Sequence, residues 1–209
     1  MKILIATRNR GKLREYAALL AGLPVEWVTL DDAGVSTEVE ETGSTFEQNA
    51  LLKAEACARL SGLPALADDS GLEVDALGGA PGVQSARYAG PNASDADRYR
   101  LLLERMKNIP DAQRSARFRC VVALYMPSGE VYTAEGVCEG RITHAPRGTH
   151  GFGYDPVFFV NECGMTMAEL APEVKNRVSH RARAVQALRP QLAKLITPYD
   201  EDQAESAEV

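Results

Sequence analysis

Hydrophobic and polar positions along this chain change period several times, and each change marks an element. Lys2 to Ala6 is a short apolar run that reads as a strand, and Thr7 to Gly11 follows as a polar loop. Leu13, Tyr16, Ala17 and Leu20 then recur at helical spacing until Gly22 and Pro24 stop the helix. Val25 to Leu30 is a second strand candidate. Phe46 to Leu60 is a second helix, whose narrow stripe of Ala50, Leu51, Ala54 and Ala58 suits close packing. Pro64 to Ala67 predicts a short buried strand that ends at two adjacent acids, Asp68 and Asp69.

Downstream, Ser94 with Asp97 has the pattern of a capping box before a helix carrying Tyr99, Leu102, Leu103 and Met106, which Pro110 stops. From Ser115 to Met126 the period drops to two, with Phe118, Cys120, Val122, Leu124 and Met126 on one face and Arg117 and Arg119 on the other. Pro127, Ser128 and Gly129 turn the chain into Val131 to Val137, which predicts an antiparallel hairpin. Val157 to Val160 is another short strand. Ser179 opens a last long helix with Val185, Leu188, Leu192 and Leu195 inward and a kink expected at Pro190. Early alternation of strand and helix, then a hairpin, predicts an α/β fold on a mixed central β-sheet flanked by helices. We expect one domain over residues 1–199, in two lobes with the active site in the cleft between them, the second lobe including roughly 115–142.

The chain has 209 residues and a formal net charge of −6, but Asp200, Glu201, Asp202, Glu205 and Glu208 crowd the last ten residues, which hold no Lys or Arg. Residues 200–209 therefore read as an acidic, disordered tail, and about −1 remains for the body. A near-neutral body without a basic stripe argues against a nucleic-acid polymer as partner. No run approaches the roughly 18 apolar residues of a membrane span, so no membrane role and a cytoplasmic location are expected. Cys57, Cys120, Cys138 and Cys163 stand far apart, with no spacing for a zinc or redox motif. Basic residues cluster instead at Arg8, Arg10, Lys12 and Arg14, and again at Lys175, Arg177, Arg181 and Arg183, as a small polyanion would require.

Five segments carry candidate chemistry. TRNRGKLRE, residues 7 to 15, joins the first strand to the first helix, so Thr7, Asn9 and the amides near Gly11 can meet an anion at a helix N-terminus while Lys12 adds full charge. It is not a Walker A loop, because Ala6 and Leu13 occupy the first Gly and the Ser/Thr positions. EETGSTFEQNALLKAEA, residues 40 to 56, offers Glu40 and Glu41 as hard oxygen donors, with Asn49 and Lys53 one helical turn apart. Together with Asp69 these acids suit magnesium, which takes one or two protein carboxylates plus water and substrate phosphates. ADDSGLEVDALGGAPGVQSARYAG places Asp69 and Ser70 before a series of glycines that permit close backbone approach to a ligand. GFGYDP can lay Phe152 or Tyr154 against a flat ring while Asp155 accepts hydrogen bonds from it, and VKNRVSHRA supplies Lys175, His180 and Arg181 as donors to a carbonyl or phosphate.

Taken together and in this order, the five motifs closely resemble those of the non-canonical purine nucleoside triphosphate pyrophosphatases, the inosine triphosphate pyrophosphatase or Ham1-like family, from Lys2 to about Leu195. The resemblance implies a homodimer that needs magnesium and converts ITP, dITP and XTP to monophosphate and pyrophosphate. By matching position it implies that Thr7, Arg8, Asn9, Arg10, Gly11 and Lys12 bind triphosphate, with Lys53 and Ser70 also contacting substrate. Phe152, Gly153, Tyr154, Asp155, Lys175, His180 and Arg181 would enclose and read the purine. Glu40 and Asp69 would hold magnesium, with Asp69 also the general base for water attack at the α-phosphorus. Which of Glu40 and Glu41 faces the metal depends on local strand phase.

Overall fold

A computed structural model describes residues 1–196, and the acidic tail at 200–209 lies outside the described residues. The chain runs β1 (Lys2–Ile5), α1 (Arg10–Leu19), β2 (Glu26–Thr29), α2 (Phe46–Ser61), β3 (Ala65–Val74), α3 (Asp95–Arg105), β4 (Ser115–Tyr125), β5 (Val131–Ile142), β6 (Phe158–Val160), β7 (Met165–Thr166), α4 (Pro172–Val178) and α5 (His180–Ile196). The strands form one seven-stranded sheet in the order β2-β1-β3-β4-β5-β6-β7. β1 lies parallel to β2 and β3, and every later neighbour is antiparallel, so the sheet is mixed as the sequence predicts. Segment 115–142 forms β4, the expected turn and β5. No helix among the described residues is long and apolar enough to cross a membrane.

Strand alternation divides the core. Ile3, Ile5, Leu66, Cys120, Val122 and Leu124 pack under Tyr16 of α1, Leu20 just after it, and Val185, Leu188 and Leu192 of α5. Leu4, Ala6, Ala65, Ala67, Val121 and Ala123, one residue out of phase, pack under Ala50, Ala54 and Ala58 of α2. A third cluster joins Leu102 of α3 and Met106 just after it to Leu72, Phe118, Phe158 and Val160. Leu188 and Leu192 are wholly buried, each contributing about 1.5–3 kcal/mol by removal from water. Ala17, assigned to the inner face of α1 by its spacing, is exposed.

Two differences from the sequence expectation bear on the site. The predicted strand at Pro64 to Ala67 continues through the acids to Val74, because every residue from Ala65 to Val74 finds a partner on β4 between Tyr125 and Ala116. Asp68 and Asp69 therefore sit inside a strand, on opposite faces, and not in a turn. A Cβ at Gly71 would stand 2.4 Å from the Gly82 carbonyl oxygen and 2.5 Å from Ser85 Oγ, so this glycine serves close packing and not chain reversal. The second difference is α4, whose seven residues begin at Pro172 and were not anticipated; it carries Lys175.

Candidate active site

Caps and close contacts fix the loops that surround one cavity of about 330 Å³. Asn9 caps α1, its Oδ1 accepting from the amides of Gly11 (2.8 Å) and Lys12 (3.1 Å). A Cβ on Gly11 would lie 2.5 Å from the Phe152 ring, so only glycine lets the first loop and the aromatic loop meet. On the other side, α5 lies directly on β5 at Gly136, where a Cβ would be 2.2 Å from the His180 carbonyl oxygen. That contact sets the start of α5, and with it His180 and Arg181.

The resulting cavity gathers residues that are far apart in sequence. Thr7, Arg8, Asn9 and Lys12 line it from the first loop and α1, Lys53 from α2, and Asp69 and Ser70 from β3. Phe152, Gly153, Tyr154 and Asp155 line it from the aromatic loop, and Lys175, His180 and Arg181 from α4 and α5. Arg10 and Gly11 are at the start of α1 but outside its wall, Arg10 being exposed. Glu40, the acid assigned to the metal by resemblance, is exposed and also outside the wall; Glu41 stands there instead. Strand phase does not decide between them, because residues 35–43 have no regular structure.

One face of β3 carries a dense charge network. Asp68 Oδ2 meets Lys12 Nζ at 3.0 Å and Arg181 Nη2 at 3.0 Å, and Arg181 Nη2 also donates to Ser70 Oγ at 2.9 Å. Arg181 Nη1 reaches Glu15, and Glu15 Oε1 lies 2.8 Å from Lys175 Nζ. Lys175 Nζ in turn pairs with Asp155 Oδ2 at 2.5 Å, an oxygen that also accepts the Phe152 amide at 2.9 Å. Burial alone would raise the pKa of Asp68, but Lys12, Arg181 and Lys53 hold it well below the usual carboxylate range. Burial opposes ionisation of Glu15 as well, and Arg181 and Lys175 outweigh it, so its pKa is lowered. Burial, with Arg181 and Lys175 nearby, pushes the His180 imidazole well below its ordinary 6.5. It is therefore neutral, stacked on Phe118 with ring centroids 4.7 Å apart.

The opposite face is sparser. Asp69 Oδ2 accepts from Asn49 Nδ2 at 3.0 Å, and Asp69 Oδ1 lies 3.7 Å from Lys53 Nζ. Lys53 Nζ also meets Glu41 Oε1 at 2.7 Å, so a single ammonium bridges the two carboxylates. Burial raises the Asp69 pKa, only partly offset by Lys53. Among the described residues no group of three or more His, Cys, Asp or Glu side chains is arranged to hold a metal. Magnesium takes one or two protein carboxylates and completes its shell with water and phosphate oxygens, a donor set that Glu41 and Asp69 fit.

Two side chains behave differently from the sequence expectation. Tyr154 is buried in the third cluster with its hydroxyl donating to the Ser85 carbonyl, and half-buried Phe152 is the more exposed of the two rings at the cavity. Asp155, expected to accept hydrogen bonds from a base, spends its Oδ2 within the protein, on Lys175 and the Phe152 amide. Sequence reasoning also passed over Glu15, the acid that joins Arg181 to Lys175. Its signal was a lone carboxylate inside the basic stretch RNRGKLRE, four residues after Gly11 on the buried side of α1.

Comparison with known proteins gives a consistent picture. The family model described as the Ham1 family matches residues 3–191. A dITP/XTP pyrophosphatase of Geobacter sulfurreducens is 56% identical over 191 residues, covering 91% of this chain and 96% of the relative. The structure of a HAM1 protein from Coxiella burnetii is similar with a TM-score of 0.85 at 45% identity, covering 93% of this chain and 99% of that one. The Ham1 protein of Staphylococcus aureus gives 0.84 at 40% identity, with 93% and 100% covered.

Proposed function

Since this chain belongs to the Ham1 family, we propose that it is a nucleoside triphosphate pyrophosphatase. It would convert the non-canonical purine nucleotides ITP, dITP and XTP, with one water, to monophosphate and pyrophosphate, so clearing them from the nucleotide pool. The observation that carries this reading is the meeting in one cavity of a capped helix N-terminus with Lys12, the Asp69–Lys53–Glu41 cluster, and the Phe152 loop beside His180 and Arg181. Those three parts correspond to phosphates, reacting phosphorus and base.

Lys12, with Thr7, Arg8 and Asn9 beside it, binds the phosphates; Lys12 is already held at the cavity wall by Asp68. Asp69, kept basic by burial and oriented by Asn49, positions a water and takes its proton as the water oxygen attacks the α-phosphorus and the bond to pyrophosphate breaks. Glu41 and Asp69 would hold Mg2+, which when bound neutralises charge on the phosphoryl oxygens. Lys53 bridges these two acids and would pass to phosphate oxygens as substrate enters. At the other end, Phe152 lies flat on the purine while Arg181 and Lys175 supply donors for O6. An amino group at C6 would meet donor with donor, and a site built on such a bond can discriminate by ~10⁴. The cavity would lie between two lobes of one domain, and the active form would be the homodimer, which sedimentation of the purified protein would test.

The test is a panel of ITP, dITP, XTP, GTP and ATP assayed for pyrophosphate and orthophosphate, with magnesium and with a chelator. Pyrophosphate from the first three only, and only with magnesium, is the expected result. Orthophosphate as the first product would refute it.

A further inference from the structure

Helix α3 contributes to the same cavity from a side that the reaction described above does not use. Asp95 and Arg98, one turn apart at its start, both line the wall. Asp95 Oδ2 accepts the Gly153 amide at 2.7 Å, and Asp95 Oδ1 pairs with Arg98 Nη1 at 2.6 Å. The Arg98 side chain is only 19% exposed, its Nε is buried without a hydrogen-bond partner among the described residues, and its charge lies close enough to Tyr154 to oppose the rise that burial gives that phenol. The aromatic loop is thus flanked by cations at both ends. Lys175 stands 4.8 Å from the Phe152 ring centroid and Arg181 5.8 Å, while Arg98 is tied to the loop through Asp95, which accepts the Gly153 amide.

A purine carries its C6 and C2 substituents on one ring, on either side of N1. If O6 faces the donors of α4 and α5, the C2 substituent faces a neighbouring wall of the cavity. We propose that Arg98, held by Asp95, is the residue that reads the C2 position, favouring a 2-oxo group and disfavouring a 2-amino group. A guanidinium has donors and no acceptor. It gains a charge-assisted bond to the 2-oxo group of xanthine, and it meets the 2-amino group of guanine donor to donor. Hypoxanthine, with hydrogen at C2, neither gains nor loses. One residue then accounts for accepting xanthine while sparing GTP, which the O6 donors alone cannot do, because guanine and hypoxanthine share O6.

This inference rests on the pyrophosphatase reading, and the experiment separates the two. We would compare kcat/KM for XTP, ITP and GTP in the wild type, Arg98→Ala and Arg98→Lys. The XTP-to-ITP ratio should fall roughly tenfold or more in Arg98→Ala, the size expected for a hydrogen bond to a charged group, and the GTP-to-ITP ratio should rise. Arg98→Lys should recover part of the XTP preference. A parallel loss on all three substrates, or unchanged ratios, would overturn the role, since a structural contribution through Asp95 and Gly153 acts on every base alike. Binding of xanthosine, inosine and guanosine monophosphates to the same proteins decides the matter independently of turnover. An unaltered xanthosine preference in Arg98→Ala counts against Arg98 even if the wild type released no pyrophosphate, a result that would by itself sink the parent reading.

Discussion

Asp68 faces α1 and α5, where Lys12, Arg181 and Ser70 close around a single carboxylate oxygen. Asp69, one residue on, faces α2 and meets the Asn49 amide, the Ser70 backbone N–H and a lysine that it shares with Glu41. Both are nearly buried, yet cations drive the pKa of the first down, while burial drives that of the second up. The strand pleat produces this contrast, sending adjacent side chains to opposite faces. A carboxylate saturated by cations organises its surroundings; one left under-neutralised is available to a metal and a proton. In the proposed reaction Asp68 would thus be the clamp that holds Lys12 and Arg181 in register, and Asp69 the reacting group.

The comparison breaks if the two acids can exchange roles. Asp69→Asn keeps the contact region with Asn49 but removes the base and a metal ligand, so turnover of ITP should fall roughly 10³-fold or more, with the thermal midpoint little changed. Asp68→Ala should do the reverse in kind. It leaves Lys12 and Arg181 without their shared counter-charge, and chemical denaturation should show a loss of about 3–5 kcal/mol. Arg181→Ala should raise KM for ITP roughly tenfold to a hundredfold through a lost charge-assisted bond; unchanged ITP kinetics would remove it from the base pocket.

The smallest effect is one of pH. Unfolded His180 takes up a proton as pH falls through about 6.5, whereas the folded imidazole stays neutral. The unfolded state then binds more protons, so stability should fall as pH drops from 7.5 to 5.5, by at most about 1.4 kcal/mol per unit from this residue. Glu15, with its lowered folded pKa, adds to the loss only below its ordinary 4.5. His180→Gln should flatten the upper part of the profile, measured by thermal unfolding across that range.

Helical elements with strong local signals were legible in the sequence. The stripe of α2, the capping box of α3 and the period-two pattern of β4 appear where expected, because each is decided by neighbours in sequence. What was not legible depends on distant partners. Asp-Asp-Ser-Gly reads as the end of a strand until β4 pairs with it, and seven-residue α4 is too short to show a period. Glu15 looks like a surface acid until Arg181 and Lys175 arrive from more than 150 residues away. The choice of Glu41 over Glu40 at the cavity wall comes from an irregular segment that no periodicity describes.

The most direct test is pyrophosphate release from ITP, measured in parallel for the wild type, Asp69→Asn and Asp68→Asn with magnesium present. Our account predicts pyrophosphate from the wild type, essentially none from folded Asp69→Asn, and residual turnover from whatever fraction of Asp68→Asn remains folded. Substantial turnover by Asp69→Asn, or orthophosphate in place of pyrophosphate from the wild type, would contradict it.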